Sequence, residues 1–205
     1  NWEAVDKHTT TIVTQNESSA VLKHTLDSTE YFVTLYWEGK ATFNEKAKHY
    51  FVLIPMDDHL AFTCAFTSIA PSTQPVTVAQ TQEEAKNYWN SFWKEGAAVD
   101  FSACTDPRAK ELERRVVLSQ YLLAIQSAGT TPPQETGLTY NSWFGKFHLE
   151  MIWWHEAQFA LWNRSNLLDR TLGWYEKVEP IARQIAQRQG FDGVRWMKMT
   201  DPSGT

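Results

Sequence analysis

The spacing of hydrophobic and polar residues changes once along this chain, near residue 80. Before that point, short stretches alternate between apolar and polar positions, which is the pattern of strands whose side chains point to two faces. The clearest stretch is EYFVTLYW at 30 to 37. Turn-forming residues separate it from similar stretches at about 10 to 14, 20 to 26, 48 to 54 and 59 to 66. The pattern predicts an antiparallel β-meander of the sandwich type in residues 1 to 80.

After residue 80 the apolar positions recur at helical spacing. This spacing predicts four helices, at 82 to 95, 107 to 127, 147 to 162 and 166 to 188. Thr81 and Glu84 have the spacing of a capping box at the start of the first helix. Asp106 followed by a proline suits the start of the second helix, and Gly190 suits the end of the last one.

The helix at 166 to 188 has an amphipathic pattern and is expected to be an outer helix. Pro180 predicts a kink or a break within it. Its core-facing side is predicted to consist of Leu168, Leu172, Tyr175, Glu179, Ala182 and Ala186.

The segment WFGKFHLEMIWWHEAQFALW, at 143 to 162, combines tryptophans with histidines and glutamates. On a helical wheel, His148 and His155 share one face with Phe159, while Glu150 and both central tryptophans lie roughly opposite. No face is plainly polar, and the helix is too short to cross a bilayer. The pattern therefore predicts an interior helix, the most buried of the four.

Tryptophan is unusually frequent, at ten of 205 residues. A core rich in large rings is one interpretation. The other is a sugar-binding cleft, because the apolar face of a pyranose stacks on an indole while nearby polar groups bind its hydroxyls. His148 and Glu150 are then expected to contact sugar hydroxyls, with the alternative that they satisfy buried polar groups. His155 is expected to be structural.

Charge and motif content narrow the function classes. A net charge of -5, without a basic stripe, argues against nucleic-acid binding. No run of apolar residues is long enough for a membrane span. Cys64 and Cys104 are too few for a disulfide framework and lack metal-ligand spacing. No zinc, nucleotide or nucleophile motif is present, so neither a metal nor a cofactor is expected.

The stretch YNSWFGKFHLEMIWWHEAQFALW, followed by ARQIAQRQGFDGVRWMKMTDPSG, resembles the front of the catalytic domain of the six-hairpin (α/α)6-barrel glycoside hydrolases. It is most similar to the maltose-, kojibiose- and trehalose-phosphorylase group and its bacterial hydrolase relatives. The resemblance implies an α+β multidomain fold with a β-sandwich portion at 1 to 80, a helical linker at 81 to 105, and the first helices of an incomplete (α/α)6 helical toroid at 106 to 205.

The same resemblance implies the site residues. In the phosphorylase group a Trp-Asp-Thr-Glu motif opens an inner helix and holds sugar hydroxyls, and Phe147-His148-Leu149-Glu150 stands in its place, with His148 where the group has Asp. The segment from Gly190 to Trp196 resembles the group's glycine-rich loop. The implied substrate-binding residues are Asn141, Trp143, Lys146, His148, Glu150, Trp154, Arg195, Trp196 and Lys198.

Glycoside cleavage generally uses two carboxyl groups. Glu135, Glu150 and Glu156 are the carboxyls near the tryptophan cluster, and Glu150 is the catalytic candidate. In the related enzymes the general acid comes from a later barrel loop, so it is expected outside this chain.

The sequence thus predicts a glycoside hydrolase that acts on an oligosaccharide, with phosphorolysis, a non-catalytic sugar-binding module and a helical scaffold with an aromatic core as alternatives. The resemblance suggests a periplasmic or secreted protein. Four or five helices cannot close a toroid of twelve. The chain is therefore expected to be a fragment that needs the rest of its polypeptide or companion chains, and to expose an aromatic face near 143 to 162.

Overall fold

The computed structural model describes residues 4 to 72 and 76 to 205. Antiparallel sheets occupy the first part of the chain and helices follow, which confirms the coarse α+β class. The chain forms two compact units, Asn1–Trp89 and Asn90–Thr205. The boundary between them falls within the segment 81 to 105 that the sequence assigns to a linker.

The described residues of the first unit contain six strands, which are β1 (His8–Gln15), β2 (Ser19–Leu26), β3 (Thr29–Glu38), β4 (Ala41–Ala47), β5 (Tyr50–Pro55) and β6 (Ala61–Thr67). Four of them form an antiparallel sheet in the order β1-β2-β3-β6, and β4 pairs with β5 as a separate hairpin. The antiparallel strands are as predicted, but β4 and β5 do not continue the sheet as consecutive strands of a meander would. The sequence pattern also missed β4, because only Phe43 of that strand is buried and a polar run follows it.

An apolar core joins the hairpin to the four-stranded sheet. Trp37 from β3 packs against Phe43 from β4, with ring centroids 6.0 Å apart, and Phe43 stacks on Phe51 at 5.7 Å. Ala20 and Leu22 from β2 complete the buried cluster. Side chains on one face of each layer therefore meet, as the alternating pattern of the strands requires.

The helices that follow are α1 (Val78–Glu95), α2 (Ala109–Ser127), α3 (Ile152–His155), α4 (Ala157–Leu161) and α5 (Ser165–Arg188). Three of the four predicted helices are confirmed as α1, α2 and α5, with ends within a few residues. Within the described part of the chain, no helix has both the length and the apolar character that crossing a membrane requires.

Helix ends follow local side-chain chemistry. The capping box lies at Thr77 and Gln80, whose side chains each accept a hydrogen bond from the other residue's backbone N–H, so the predicted box at Thr81 is wrong. Asp106 accepts a hydrogen bond from the backbone N–H two residues ahead, as predicted. Gly190, at φ +80°, forms the end of α5 with the two backbone hydrogen bonds of a Schellman motif.

The segment 147 to 162 is not a single helix. It begins with a two-residue strand, β7 (Phe147–His148), continues through a 3-10 turn at Leu149–Met151, and then forms the short helices α3 and α4. The cause is pairing of β7 with β8 (Met199–Thr200), which fixes the first residues in extended conformation.

The two faces identified by the helical wheel are real, but their burial differs from the prediction. His148, His155 and Phe159 are buried, whereas Trp153 and Trp154 are 69% and 67% exposed. The prediction of an interior helix that is the most buried of the four is therefore wrong. This segment lends no support to an inner helix of a barrel.

The helix α5 is more deeply buried than the sequence predicts, and it continues through Pro180 without a break. In the first half of α5, the buried side chains lie about one residue before the predicted core-facing ones. Leu168 is therefore half-buried and Leu172 is exposed. The buried residues are Leu167, Thr171, Trp174, Val178, Ala182, Ile185 and Ala186.

Candidate functional site

A strained turn precedes β7 and holds aromatic rings in solvent. Trp143, Phe144 and Gly145 have successive φ values of +47°, +58° and +79°. Non-glycine residues seldom adopt this conformation, which costs about 1–3 kcal/mol each where it persists. The indole N–H of Trp143 donates to the carboxylate of Glu135, which helps to hold the turn. Phe144 is 97% exposed as a result.

The β7–β8 pairing brings together residues that are about fifty positions apart. His148 pairs with Met199, and the backbone N–H of Leu149 donates to the carbonyl of Lys198 at 2.9 Å. The ammonium of Lys198 then lies 3.1 Å from a carboxylate oxygen of Glu150. Two of the predicted site residues thus form an ion pair across this short ladder.

His148 lies between two carboxylates. Its Nδ1 is 3.4 Å from Glu135 and its Nε2 is 3.4 Å from Glu150. The ring is buried, while both carboxylates are more than a third exposed. Neither contact has hydrogen-bond geometry, so within residues 4 to 72 and 76 to 205 both ring nitrogens lack a hydrogen-bond partner. Buried polar atoms normally have a hydrogen-bond partner. This imidazole is unusual because it is buried without one, although it lies beside two carboxylate acceptors.

A second buried pair lies behind His148. The Nε2–H of His155 donates to the backbone carbonyl of Glu135 at 3.1 Å, which ties α3 to the preceding loop. Burial lowers the pKa of His155. Burial raises the pKa of Glu156 to about 8, and the nearby Thr171 hydroxyl opposes that shift. Since Glu156 has no exposed surface, its carboxyl does not reach a substrate in this conformation.

Exposed indoles lie on the same side of the segment as Glu150. Trp153 and Trp154 follow Glu150 by three and four residues along a continuous helical stretch, so the three side chains share a face. All three are exposed. The surface that contains Glu150, Trp153 and Trp154 is called the indole face below. Rings and carboxylates together are suited to binding a ligand that has both apolar and hydroxyl surfaces.

The other predicted residues show no contact with this group among the described residues. Asn141 and Lys146 are exposed in the loop before β7. The guanidinium of Arg195 lies over the ring of Phe191, 5.0 Å from its centroid. Trp196 is half-buried and packs on Tyr175, with ring centroids 5.6 Å apart. Arg195 therefore lies near the end of α5, and Trp196 packs against the core.

Two residues of this group, Glu135 and Trp153, were not among the substrate-binding residues predicted from the sequence. Glu135 was named as a nearby carboxyl, but its contact with His148 depends on the loop that precedes β7. Trp153 was not assigned a binding role, although its spacing of three residues from Glu150 is a signal that could have identified it.

A depression of about 780 Å³ lies elsewhere in the second unit, beside α2. Trp93, Pro107 and Tyr121 contribute to its walls. Glu111 and Arg114, which also line it, are paired with each other across one turn of α2. The charges of Glu111 and Arg114 therefore offset each other within the helix, whereas Glu135, His148 and Lys198 come together from separate segments of the chain.

Comparisons of this chain with family models, with curated proteins and with solved structures found no match.

Proposed function

We propose that the indole face and the adjoining polar group bind a carbohydrate, as the recognition surface of an enzyme that hydrolyses glycosidic bonds. The observation that carries the proposal is the buried imidazole of His148, which lies between two exposed carboxylates next to exposed indoles. The resemblance of the segment 140 to 162 to six-hairpin glycosidases supports the same function.

The chemistry of the group fits a sugar. A pyranose has an apolar face that stacks on an indole, and Trp153 and Trp154 offer such rings in solvent. Its hydroxyls both donate and accept hydrogen bonds. Glu150 provides an acceptor and Lys198 a donor at one place, since their charged atoms are 3.1 Å apart. A hydroxyl that enters between them can satisfy both.

His148 helps to hold the carboxylates of Glu135 and Glu150 in place before a ligand binds. His148 is held by β7 and contacts Glu135 and Glu150 from opposite ring nitrogens. Its removal would leave two carboxylates without the group that separates them. His148 is therefore proposed to position the carboxylates, while Glu150 contacts the substrate.

The hydrolytic step needs a protonated carboxyl at the leaving oxygen and a second carboxylate. Glu150 and Glu135 are both accessible to a ligand. Glu156 is fully buried and is left out of the chemical step. The general acid is assigned to the later barrel loop that the resemblance implies, so this chain is expected to bind a glycan without turning it over.

We also propose that residues 106 to 205 form part of a helical toroid. The exposed apolar side chains of Leu118 and Leu122 on α2, and of Leu161 at the end of α4, support it, because an open arc of helices leaves such surface uncovered. Further helices, from the same polypeptide or a companion chain, are proposed to cover it.

Glycan binding by the full chain tests the proposal. Titration with gluco-oligosaccharides, followed by tryptophan fluorescence and calorimetry, is expected to give saturable binding. Glu150→Gln, Trp154→Ala and His148→Ala are each expected to weaken it about tenfold or more, because a good buried polar contact or a stacked ring contributes roughly 1–3 kcal/mol. Urea unfolding is expected to be nearly unchanged for Glu150→Gln and Trp154→Ala, whose side chains are exposed.

Two controls match these changes elsewhere in the molecule. Glu176→Gln removes an exposed carboxylate from α5, and Phe66→Ala removes an exposed ring from β6. Both should leave binding intact. Unaltered binding in all three site variants would contradict the proposal, and equal losses of stability and binding would indicate a structural role.

Product analysis separates the chemical alternatives. Binding without sugar release by this chain agrees with an acid located elsewhere, and it is also the behaviour of a non-catalytic module. Release that depends on inorganic phosphate would instead indicate phosphorolysis. Phosphate-independent release by the purified chain would move the acid and base roles to Glu135 and Glu150.

A further inference from the structure

Three histidines of the first unit lie together although they are far apart in the sequence. His8 is in β1, His24 is in β2, and His49 is in the turn between β4 and β5. One ring nitrogen from each lies within 4.8 Å of the other two. The rings of His8 and His49 stack with centroids 3.9 Å apart, and the ring of His24 is 5.0 Å from that of His8.

Strand register and a strained turn create this arrangement. Thr10 is directly opposite His24, and His8 lies on the same face of β1 as Thr10 because it is two residues away. His49 has φ +63°, a left-handed conformation that is uncommon for a residue with a side chain. The turn thus places the His49 ring beside the two strands, at a local cost in backbone energy.

The hydrogen bonds determine which ring nitrogens carry lone pairs when the rings are neutral. His49 Nε2 is 2.8 Å from the carbonyl of Val5, so Nε2 carries the proton and Nδ1 the lone pair. The Thr10 hydroxyl lies 2.8 Å from His49 Nδ1 and 2.8 Å from His24 Nδ1. Because it has one proton, it donates to His49 and accepts from His24. The lone pair of His24 is then on Nε2.

His8 supplies the third nitrogen. Its Nδ1 is buried and has no hydrogen-bond partner within the described part of the chain. A buried ring nitrogen without a partner normally requires an explanation, such as an ion or water that completes its contacts. The same atom lies in a cluster that offers two further imidazoles.

We propose that His8, His24 and His49 bind a divalent transition-metal ion, with zinc as the ion that this ligand set suits best. Three imidazoles with an open fourth position are a known zinc arrangement. Imidazole also suits copper and nickel. The hydrogen bond from the far nitrogen of His49 to a backbone carbonyl is the outer contact that metal-binding histidines usually make.

The space and charge around the rings agree with an ion. A cavity of about 340 Å³ adjoins the three rings, with Leu22, Tyr31 and Phe51 among its walls, and leaves room for a water as a fourth ligand. Zinc–nitrogen bonds of about 2.0–2.1 Å require nitrogens about 3.4 Å apart, so ring shifts of roughly 1 Å would close the site. The nearby ammonium of Lys48 is neutralised by its ion pair with Asp6.

Zinc binding to the full chain tests this site. Competition against a chromophoric chelator is expected to show one tightly bound zinc per chain, and zinc should raise the unfolding temperature. His8→Ala, His24→Ala and His49→Ala should each weaken binding at least tenfold. Zinc binding displaces the Thr10 hydroxyl from His49 Nδ1, while its hydrogen bond with His24 Nδ1 remains as an outer contact.

The remaining histidines provide the controls. His59→Ala changes an exposed histidine of the same unit, and His148→Ala and His155→Ala change the two of the second unit. These variants should bind zinc as the unaltered chain does. If an alanine variant of the cluster fails to fold, judged by circular dichroism, the corresponding asparagine variant replaces it.

Absence of stoichiometric zinc binding would overturn the proposal. So would a loss of affinity in His59→Ala or His148→Ala as large as that in His24→Ala. The site lies in the first unit and uses none of the residues proposed to bind carbohydrate, so absence of zinc binding does not bear on the carbohydrate proposal.

Discussion

Glu156 provides a sharp test of how burial controls ionisation in this protein. The residue lies at the junction of α3 and α4 and is 0% exposed. Its carboxyl oxygens have no hydrogen-bond partner in the portion of the chain that the structure describes, and the Thr171 hydroxyl donates to the carbonyl of Gly129. Burial raises the pKa to about 8, so the carboxyl is protonated at neutral pH.

The raised pKa of Glu156 sets both the direction and the size of the change in stability with pH. The folded pKa of about 8 lies above the ordinary glutamate value of 4.5, so the unfolded chain loses this proton first as pH rises. Stability therefore falls between pH 4.5 and pH 8, by about 1.4 kcal/mol per pH unit, and this residue imposes no loss below that window. At pH 7 the accumulated loss is about 3 kcal/mol.

Glu156→Gln removes the titrating proton and keeps the shape of the side chain. The variant is expected to match the unaltered protein near pH 4.5 and to exceed its unfolding free energy by about 3 kcal/mol at pH 7. Urea unfolding followed by circular dichroism at several pH values between 4.5 and 8 measures the difference. Glu176→Gln, at an exposed position of α5, should show no such dependence. A difference for Glu156→Gln that does not change with pH would refute the reasoning.

Two further predictions concern packing in the second unit, and thermal unfolding checks both. Gly204→Ala should lower stability by about 1–3 kcal/mol, because φ is +94° and the new Cβ would lie 2.8 Å from Val178 Cβ. Gly190→Ala, at φ +80° with open space, should lose only about 1 kcal/mol, and an equal loss at both sites would contradict the packing argument. Arg164→Ala should cost about 3 kcal/mol or more, because its buried guanidinium donates to several buried acceptors that the change would leave unpaired, and a loss below about 1 kcal/mol would count against that network.

Local chemistry explains what could be predicted. Strands and most helices follow from the period of apolar residues, which depends only on backbone geometry. The ends of α2 and α5 follow from Asp106 and Gly190, since caps use side chains or conformations within a few residues of the helix. The same logic identified Glu150 and Trp154 as one face, because they are four residues apart on a helical stretch.

The candidate site was only partly predictable for the same reason. Trp143, His148, Glu150 and Lys198 were all expected in it, and Glu135 was among the nearby carboxyls considered. Their contacts arise because β7 pairs with β8 and because the loop before β7 returns to His148. Arg195 and Trp196 were expected there as well, but they pack at the end of α5 and in the core.

The sequence thus predicted that strands come first and helices follow, where several helices end, and which side chains share a face in the segment 147 to 162. The tertiary structure alone decided that this segment is broken and half in solvent, that β4 and β5 leave the sheet, and that His8, His24 and His49 meet. The reason is how far apart along the chain the interacting residues lie. Periodicity and caps depend on neighbours along the chain, whereas strand pairing, burial and side-chain clusters depend on residues that only folding brings together.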